Sequence, residues 1–373
     1  MRTRLLMICM VLLTEAACRP AFIFESQPGS APPQPVQRWR TLDGTPPLVI
    51  AHRGASGYRP EHTLAAYTLA IEMGADFIEP DLVSTKDGQL IVRHEPLLDD
   101  TTDVKSRPQF AARKTTRELD GKQVTGFYAS DFTLVEIKQL RAVQSNPARS
   151  KQYDGEFEIP TFDEVLALAV RESAARGRSI GVYPETKHPA FHLALGLPLE
   201  DRLLQSLQRV GLDRVGAAVF IQSFESANLQ YLRTRTRVPL VQLLDDNALG
   251  FDAQGVSVVD VRVAGFGDPR GQQPPRSLGD IAAYAAGIGP WKRLILRETG
   301  GGELLPTRLI EQAHAAGLLV HTYTFRNEPA TLAAQYANDP QPEYRQIYGM
   351  GIDGVFSDFP DTARQSRDAV GAR

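Results

Sequence analysis

Cysteine is nearly absent from this chain. Its two cysteines, Cys9 and Cys18, both fall within the first 18 residues. The remainder can therefore form no disulfide, no thiolate zinc site and no thiol nucleophile. Long apolar runs are missing too. The one concentrated stretch, Leu5 to Leu13, is too short to span a bilayer. There is no excess of charge of either sign: the formal net charge is −3 over 373 residues, which argues against nucleic acid as a partner. No internal repeat is found. Beyond the first 45 residues, a stretch of roughly 330 residues is ample for one large hydrophobic core.

The N-terminus has the features of an export signal. Arg2 and Arg4 precede the short apolar stretch, and the small residues Ala16-Ala17-Cys18 follow it. A signal peptide over residues 1–18 is expected. The same residues also fit a lipoprotein signal that would leave Cys18 as a membrane anchor, although Glu15 stands where such sites usually carry an apolar residue. Removing residues 1–18 takes away Arg2, Arg4 and Glu15 and moves the formal charge from −3 to −4. Residues 19–45 are rich in Pro, Ser and Gln, as in a flexible linker, and the folded domain is expected over 46–368.

Within that domain, apolar runs alternate with helical patterns. Strands are predicted at 47–51, 76–78, 179–183, 217–221, 239–243, 293–296, 318–323 and 354–356, with helices at about 63–73, 162–175, 199–209, 225–233 and 306–316. Unalternating apolar strands separated by helices indicate a parallel sheet covered on both faces. Eight such units predict an α/β fold of the (β/α)8 TIM-barrel type. Residues 95–160 and 244–290 break the alternation and are expected to be long βα insertions around the substrate pocket.

The chemistry concentrates at strand ends. Glu79 and Asp81 lie two residues apart, so their side chains share a side of the strand, and paired carboxylates repel unless a cation or proton intervenes. Asp87-Gly88 reads as a two-residue hairpin turn. Counting outward from it sets His94 opposite Asp81 on one face. His52 and Arg53 follow the first strand, placing two imidazoles near the carboxylates. Such a pair can supply an acid and a base near neutral pH, and arginine offers a planar fork for phosphate. Glu185 and Lys187 end the third strand and add a third carboxylate and a second cation. An all-oxygen set of Glu79, Asp81 and Glu185 favours a hard divalent ion, Ca2+ or Mg2+, over zinc.

Other residues are weaker candidates. Gln222 and Phe224, and the alternating His321, Tyr323 and Phe325, are expected as pocket lining or as ordinary inward barrel residues. His62 and Thr63 are read as the start of the first helix, with Thr63 its cap. Ser357-Asp358-Phe359-Pro360 reads as helix entry and nothing more. His188, His192 and His314 receive no role.

The blocks His52-Arg53-Gly54-Ala55-Ser56-Gly57-Tyr58-Arg59-Pro60-Glu61-His62-Thr63, Glu79-Pro80-Asp81 and His94 closely resemble the glycerophosphodiester phosphodiesterase family, especially its bacterial periplasmic type. The resemblance extends through Tyr183-Pro184-Glu185-Thr186-Lys187, Gln222-Ser223-Phe224, Gly287 to Lys292, His321 to Phe325 and Gly354 to Pro360, covering residues 46 to 365 or so. It implies a metal-dependent barrel enzyme in the periplasm. Such an enzyme hydrolyses deacylated phospholipids, such as glycerophosphocholine and glycerophosphoethanolamine, to glycerol 3-phosphate and an alcohol. By matching positions, Glu79, Asp81 and Glu185 would bind one divalent cation, Ca2+ preferred and Mg2+ the alternative. His52 and His94 would be the acid–base pair, and Arg53 and Lys187 would hold phosphate. Glu95 and Asp100 depart from the Asp and Arg common in the family at those positions. Competing expectations are a related barrel phosphodiesterase acting on intact lipids, and a surface-displayed binding lipoprotein.

Overall fold

The computed structural model describes residues 39–246, 248–251, 258–261 and 274–372. The signal segment with Cys18, most of the expected linker and much of the 244–290 insertion lie outside these residues. Residues 39–45, at the end of the expected linker, sit against the folded domain. Trp39 is buried, and the Leu42 amide donates to Asp353 at 2.7 Å.

The apolar runs pair in parallel around a closed cycle. Leu48–His52 lies between Phe77–Glu79 on one side and Gly354–Ser357 on the other. The second barrel strand continues past Pro80 as Asp81–Ser84, and the third runs as Gly181–Val182 and then Glu185–Thr186. Proline has no amide hydrogen and interrupts both ladders. The two strands nevertheless stay paired through the gaps, with Tyr183 N donating to Ile78 O and Glu185 N to Pro80 O, each at 2.9 Å. Ile221–Ser223, Leu240–Leu244, Gly287–Pro290 and Leu319–Phe325 complete the barrel. A (β/α)8 barrel is thus the fold. Its main core packs strand residues such as Val49, Ile78, Ile221 and Val320 against the surrounding helices, and Ile50, Phe77, Tyr183, Val241 and Phe356 form a separate cluster. Thr63 caps the first helix, Leu64–Glu72, by accepting from Ala66 N.

Two element assignments are corrected. The sixth barrel strand is Gly287–Pro290, not 293–296; Lys292–Leu294 is a 3-10 turn, and Leu296–Glu298 pairs antiparallel with Leu304–Pro306. Gly-Ile-Gly-Pro falls in the stretch 244–290 expected as an insertion, which therefore ends before Gly287, and the barrel needs those glycines. A Cβ at Gly287 would meet Leu319 O at 2.8 Å, and one at Gly289 would meet Leu243 Cδ2 at 2.5 Å. The second correction is the hairpin register: Leu82 faces Val92 and Ser84 faces Leu90, so Asp81 stands opposite Arg93 and not His94. The connection is not the two-residue turn. Thr85 N donates to Gln89 O at 2.9 Å around Lys86-Asp87-Gly88, and Gly88 takes φ +77°, as in a three-residue loop with glycine in the left-handed position.

The 95–160 insertion is a folded layer. Leu98, Val104, Phe110, Phe127, Phe132, Ile137 and Ile159 form a buried cluster with Val83 and Ile91 of the preceding hairpin. Its hairpin, Thr115–Leu119 with Lys122–Gly126, turns at Asp120-Gly121, both with positive φ, the conformation a tight hairpin turn requires.

Candidate active site

The C-terminal strand ends converge on a cavity of about 330 Å³ lined by His52, Arg53, Glu79, His94, Glu185 and Lys187, together with Gln222, Phe224 and Tyr323. His94 reaches it despite the register slip. Its strand ends at Val92, and the chain then turns so that His94 Nε2 comes within 3.4 Å of Lys187 Nζ.

Glu79, Asp81 and Glu185 are all buried, and each offers a ligand oxygen within 4.8 Å of the others. Glu79 accepts from Arg53 N at 2.8 Å and Gln222 Nε2 at 3.1 Å. Asp81 Oδ2 takes His62 Nε2 at 2.8 Å, while its Oδ1 is buried with no hydrogen-bond partner among the described residues. Burial and the neighbouring carboxylates push Glu79 well above the ordinary range, and burial raises Glu185 to about 8 against the pull of Lys187. For Asp81, burial works upward but Lys187 and His62 outweigh it, holding the group well below its usual value. Crowded carboxylates with an orphaned oxygen and no sulfur or imidazole ligand fit a hard divalent cation.

Both imidazoles present Nδ1 to a carboxylate. His52 Nδ1 lies 2.5 Å from Asp358 Oδ1, and Asp358 is itself held by Arg149 at 2.5 Å and Arg326 at 3.0 Å. His94 Nδ1 lies 2.9 Å from Glu95. Burial and nearby Arg53 lower both histidines, His94 to about 4. Arg53 has φ +59°, a strained geometry for a side-chain-bearing residue. This conformation aims its amide at Glu79 while its guanidinium contacts Glu61 at 3.2 Å. Lys187 bonds Glu185 at 2.8 Å; burial acts to lower its pKa, but Glu185 and Asp81 keep it raised.

Two expected lining residues stand elsewhere. His321 is buried inside the barrel, with Nδ1 2.8 Å from the Tyr183 hydroxyl. Phe325 packs on the Tyr344 ring at 4.7 Å. An extra residue between Thr322 and Phe325 shifts the register against the eighth strand, and such a bulge reverses the alternation that would have put Phe325 beside Tyr323. Three residues matter more than their local sequence signals. His62 is fully buried and holds Asp81, and its own Nδ1 is 2.7 Å from the Tyr67 hydroxyl. Asp358 is no mere helix-entry residue, and Arg149 joins the insertion to it. His62 reads locally as the start of the first helix, and Asp358 meets His52 across 306 positions.

Comparison with known proteins accords with this geometry. Residues 52–362 match the model of the glycerophosphoryl diester phosphodiesterase family. The chain is 37% identical over 367 residues to the glycerophosphodiester phosphodiesterase GDPD6 of Arabidopsis thaliana, covering 95% of this chain and 93% of that protein. It is 31% identical to the glycerophosphodiester phosphodiesterase of Haemophilus influenzae, covering 84% and 88% respectively. The crystal structure of an Agrobacterium tumefaciens glycerophosphodiester phosphodiesterase superposes with a TM-score of 0.54 at 22% identity, covering 86% of this chain and 99% of that one. A phosphodiesterase of Oleispira antarctica in complex with the product sn-glycerol-3-phosphate superposes at 0.53 and 19% identity, covering 88% and 99%. With a matching family model over most of the domain and relatives aligned nearly end to end, this chain belongs to the glycerophosphoryl diester phosphodiesterase family and is an enzyme of that activity.

Proposed function

We propose that this enzyme hydrolyses glycerophosphodiesters such as glycerophosphocholine and glycerophosphoethanolamine to glycerol 3-phosphate and the free alcohol, with His52 and His94 as the acid–base pair. The observation that carries this reading is a cavity lined by two carboxylate-anchored imidazoles, Glu79, Glu185, Arg53 and Lys187, with the buried Asp81 offering an oxygen within 4.8 Å of the other two carboxylates. Glu79, Asp81 and Glu185 would hold one divalent cation, Ca2+ preferred and Mg2+ the alternative, which when bound would polarise phosphoryl oxygen as a Lewis acid.

The chain's own groups supply the rest. Arg53 and Lys187 bind the phosphodiester and neutralise charge that grows on its oxygens. With Nδ1 of each imidazole committed to a carboxylate, Nε2 is the atom that faces the substrate. One Nε2 removes the proton from the substrate's 2-hydroxyl, which attacks phosphorus. The other gives a proton to the departing alkoxide, leaving a cyclic phosphate that water opens with the two roles exchanged. Both imidazoles are held neutral by burial; the negative diester raises the one that must donate. The N-terminal pattern supports export to the periplasm, with Cys18 as the point of any lipid attachment.

The test is release of glycerol 3-phosphate from glycerophosphocholine, followed with a coupled assay. His52→Ala and His94→Ala are each expected to abolish turnover with the fold intact, and chelation to abolish it until Ca2+ is restored. Substantial turnover in either variant, or indifference to chelator, would refute the assignment.

A further inference from the structure

His94 does not end its contacts at Glu95. The second oxygen of Glu95 lies 3.2 Å from His188 Nε2, and His188 Nδ1 lies 3.2 Å from Asp120 at the tip of the insertion hairpin. Four side chains from three segments thus form one line ending at the cavity: Asp120, His188, Glu95 and His94. We propose that Glu95 and His188 are positioning residues for His94, the Glu95 carboxylate accepting from the Nδ1–H and His188 fixing that carboxylate in place. This rests on the acid–base reading of His94 given above.

The hydrogen-bond pattern assigns the tautomer. A Nδ1–H donated to Glu95 leaves Nε2 with its lone pair, and that nitrogen faces the ammonium of Lys187, which has only protons to offer. Around His94, burial, Arg53 and Lys187 act against protonation, while Glu95 and Asp81 favour it. His188 faces Asp120, Glu95 and Lys187; burial lowers its pKa, but the two carboxylates outweigh it and raise the group to about 9. It is therefore a cation that can donate from both ring nitrogens at neutral pH. Glu95 in turn stays charged, burial being outweighed by His188 and His94. His188 adopts φ +44°, an uncommon conformation for a side-chain-bearing residue, and there its ring spans both carboxylates. The Glu95 and Asp120 side chains are more than 40% exposed, and ion pairs so exposed add little to stability. Asp358 bonds Nδ1 of His52 in the same way, so each imidazole of the pair is oriented by a carboxylate.

The experiment uses the full-length protein with glycerophosphocholine and compares Glu95→Gln, Glu95→Asp, His188→Gln and His94→Ala. Glu95→Gln should lower kcat by about tenfold or more, short of the ~10² to 10⁴ that a complete acid or base contributes. KM should stay within about threefold of wild type, since orientation of His94 acts mainly on the chemical step. The pH limb that reports His94 should move to lower pH, because a charge favouring protonation has gone. His188→Gln should show a smaller shift in the same direction. Glu95→Asp, which restores the carboxylate, should return the limb to its wild-type position. Wild-type kcat and pH profile in both Glu95→Gln and His188→Gln, with His94→Ala inactive, would overturn the positioning role and leave the acid–base reading standing. A loss of kcat that tracks a fall in Tm without moving the pH limb would overturn it equally, as a structural tie. Turnover by His94→Ala would instead refute the reading on which it rests.

Discussion

Replacing Asp358 with Asn tests the other end of the acid–base pair. Asp358 is 2% exposed and receives three charged or polar partners: His52 at 2.5 Å, Arg149 at 2.5 Å and Arg326 at 3.0 Å. Asparagine keeps the shape and loses the charge. Arg149 retains Glu328 at 2.5 Å, and the half-exposed Arg326 can turn to water, so the uncompensated charge is smaller than the full case. Removing one partner of a buried ion pair costs about 3–5 kcal/mol, and these escapes place Asp358→Asn at or below the lower end, about 2–3 kcal/mol. At about 2 °C per kcal/mol for a large domain, Tm should fall by roughly 4–6 °C. The kinetic effect should be far larger. The Asn amide can donate to Nδ1 and so select the tautomer with hydrogen on Nε2, which disables His52 as a base, and an acid–base partner contributes ~10² to 10⁴ in rate. The assay is kcat for glycerol 3-phosphate release well below the Tm of the variant, beside a thermal melt by circular dichroism. A folded Asp358→Asn enzyme with kcat within about threefold of wild type would show that His52 needs no carboxylate at Nδ1, against the ~10² expected.

Two further outcomes are expected. His62→Ala removes the donor that orients Asp81, so Ca2+ affinity measured by calorimetry should fall about 10- to 100-fold; unchanged affinity would exclude a supporting role for His62. His192 is fully buried, neither ring nitrogen has a partner among the described residues, and burial, with His188 and Arg202 adding to it, lowers its pKa to about 3 from 6.5. Between pH 6.5 and 3 the unfolded chain binds a proton at this residue that the folded chain does not, so stability is full above pH 6.5 and declines as pH falls, by at most about 1.4 kcal/mol per pH unit. His192→Leu should flatten urea-measured stability across that window; an unchanged slope would refute the assignment.

Most of the barrel was legible because its strands, the sixth excepted, announce themselves locally: a short apolar run, buried on both faces, between helical patterns. The strand ends carrying His52, Glu79 and Glu185 were legible for the same reason, since the end of a barrel strand opens toward the site. Local pattern failed where a distant partner sets the local geometry. Gly287 and Gly289 fall in a Gly- and Pro-rich stretch that reads as insertion, and only Leu319 and Leu243 pressing against them show a strand. Phe325 follows its alternation until a bulge against the eighth strand reverses it. Asp87-Gly88 signals a turn but not whether the loop holds two residues or three, and that one residue decides what Asp81 faces.

The same division runs through the site. Residue type and spacing alone determined that two imidazoles, three carboxylates and two cations were available at strand ends. Which atoms they turn toward each other was decided only in the folded barrel. There Asp358 reaches His52, His62 reaches Asp81, and Glu95 with His188 reaches His94. A strand's apolar period is a property of neighbouring residues, whereas the orientation of an imidazole belongs to whatever carboxylate the closing of the barrel brings against it.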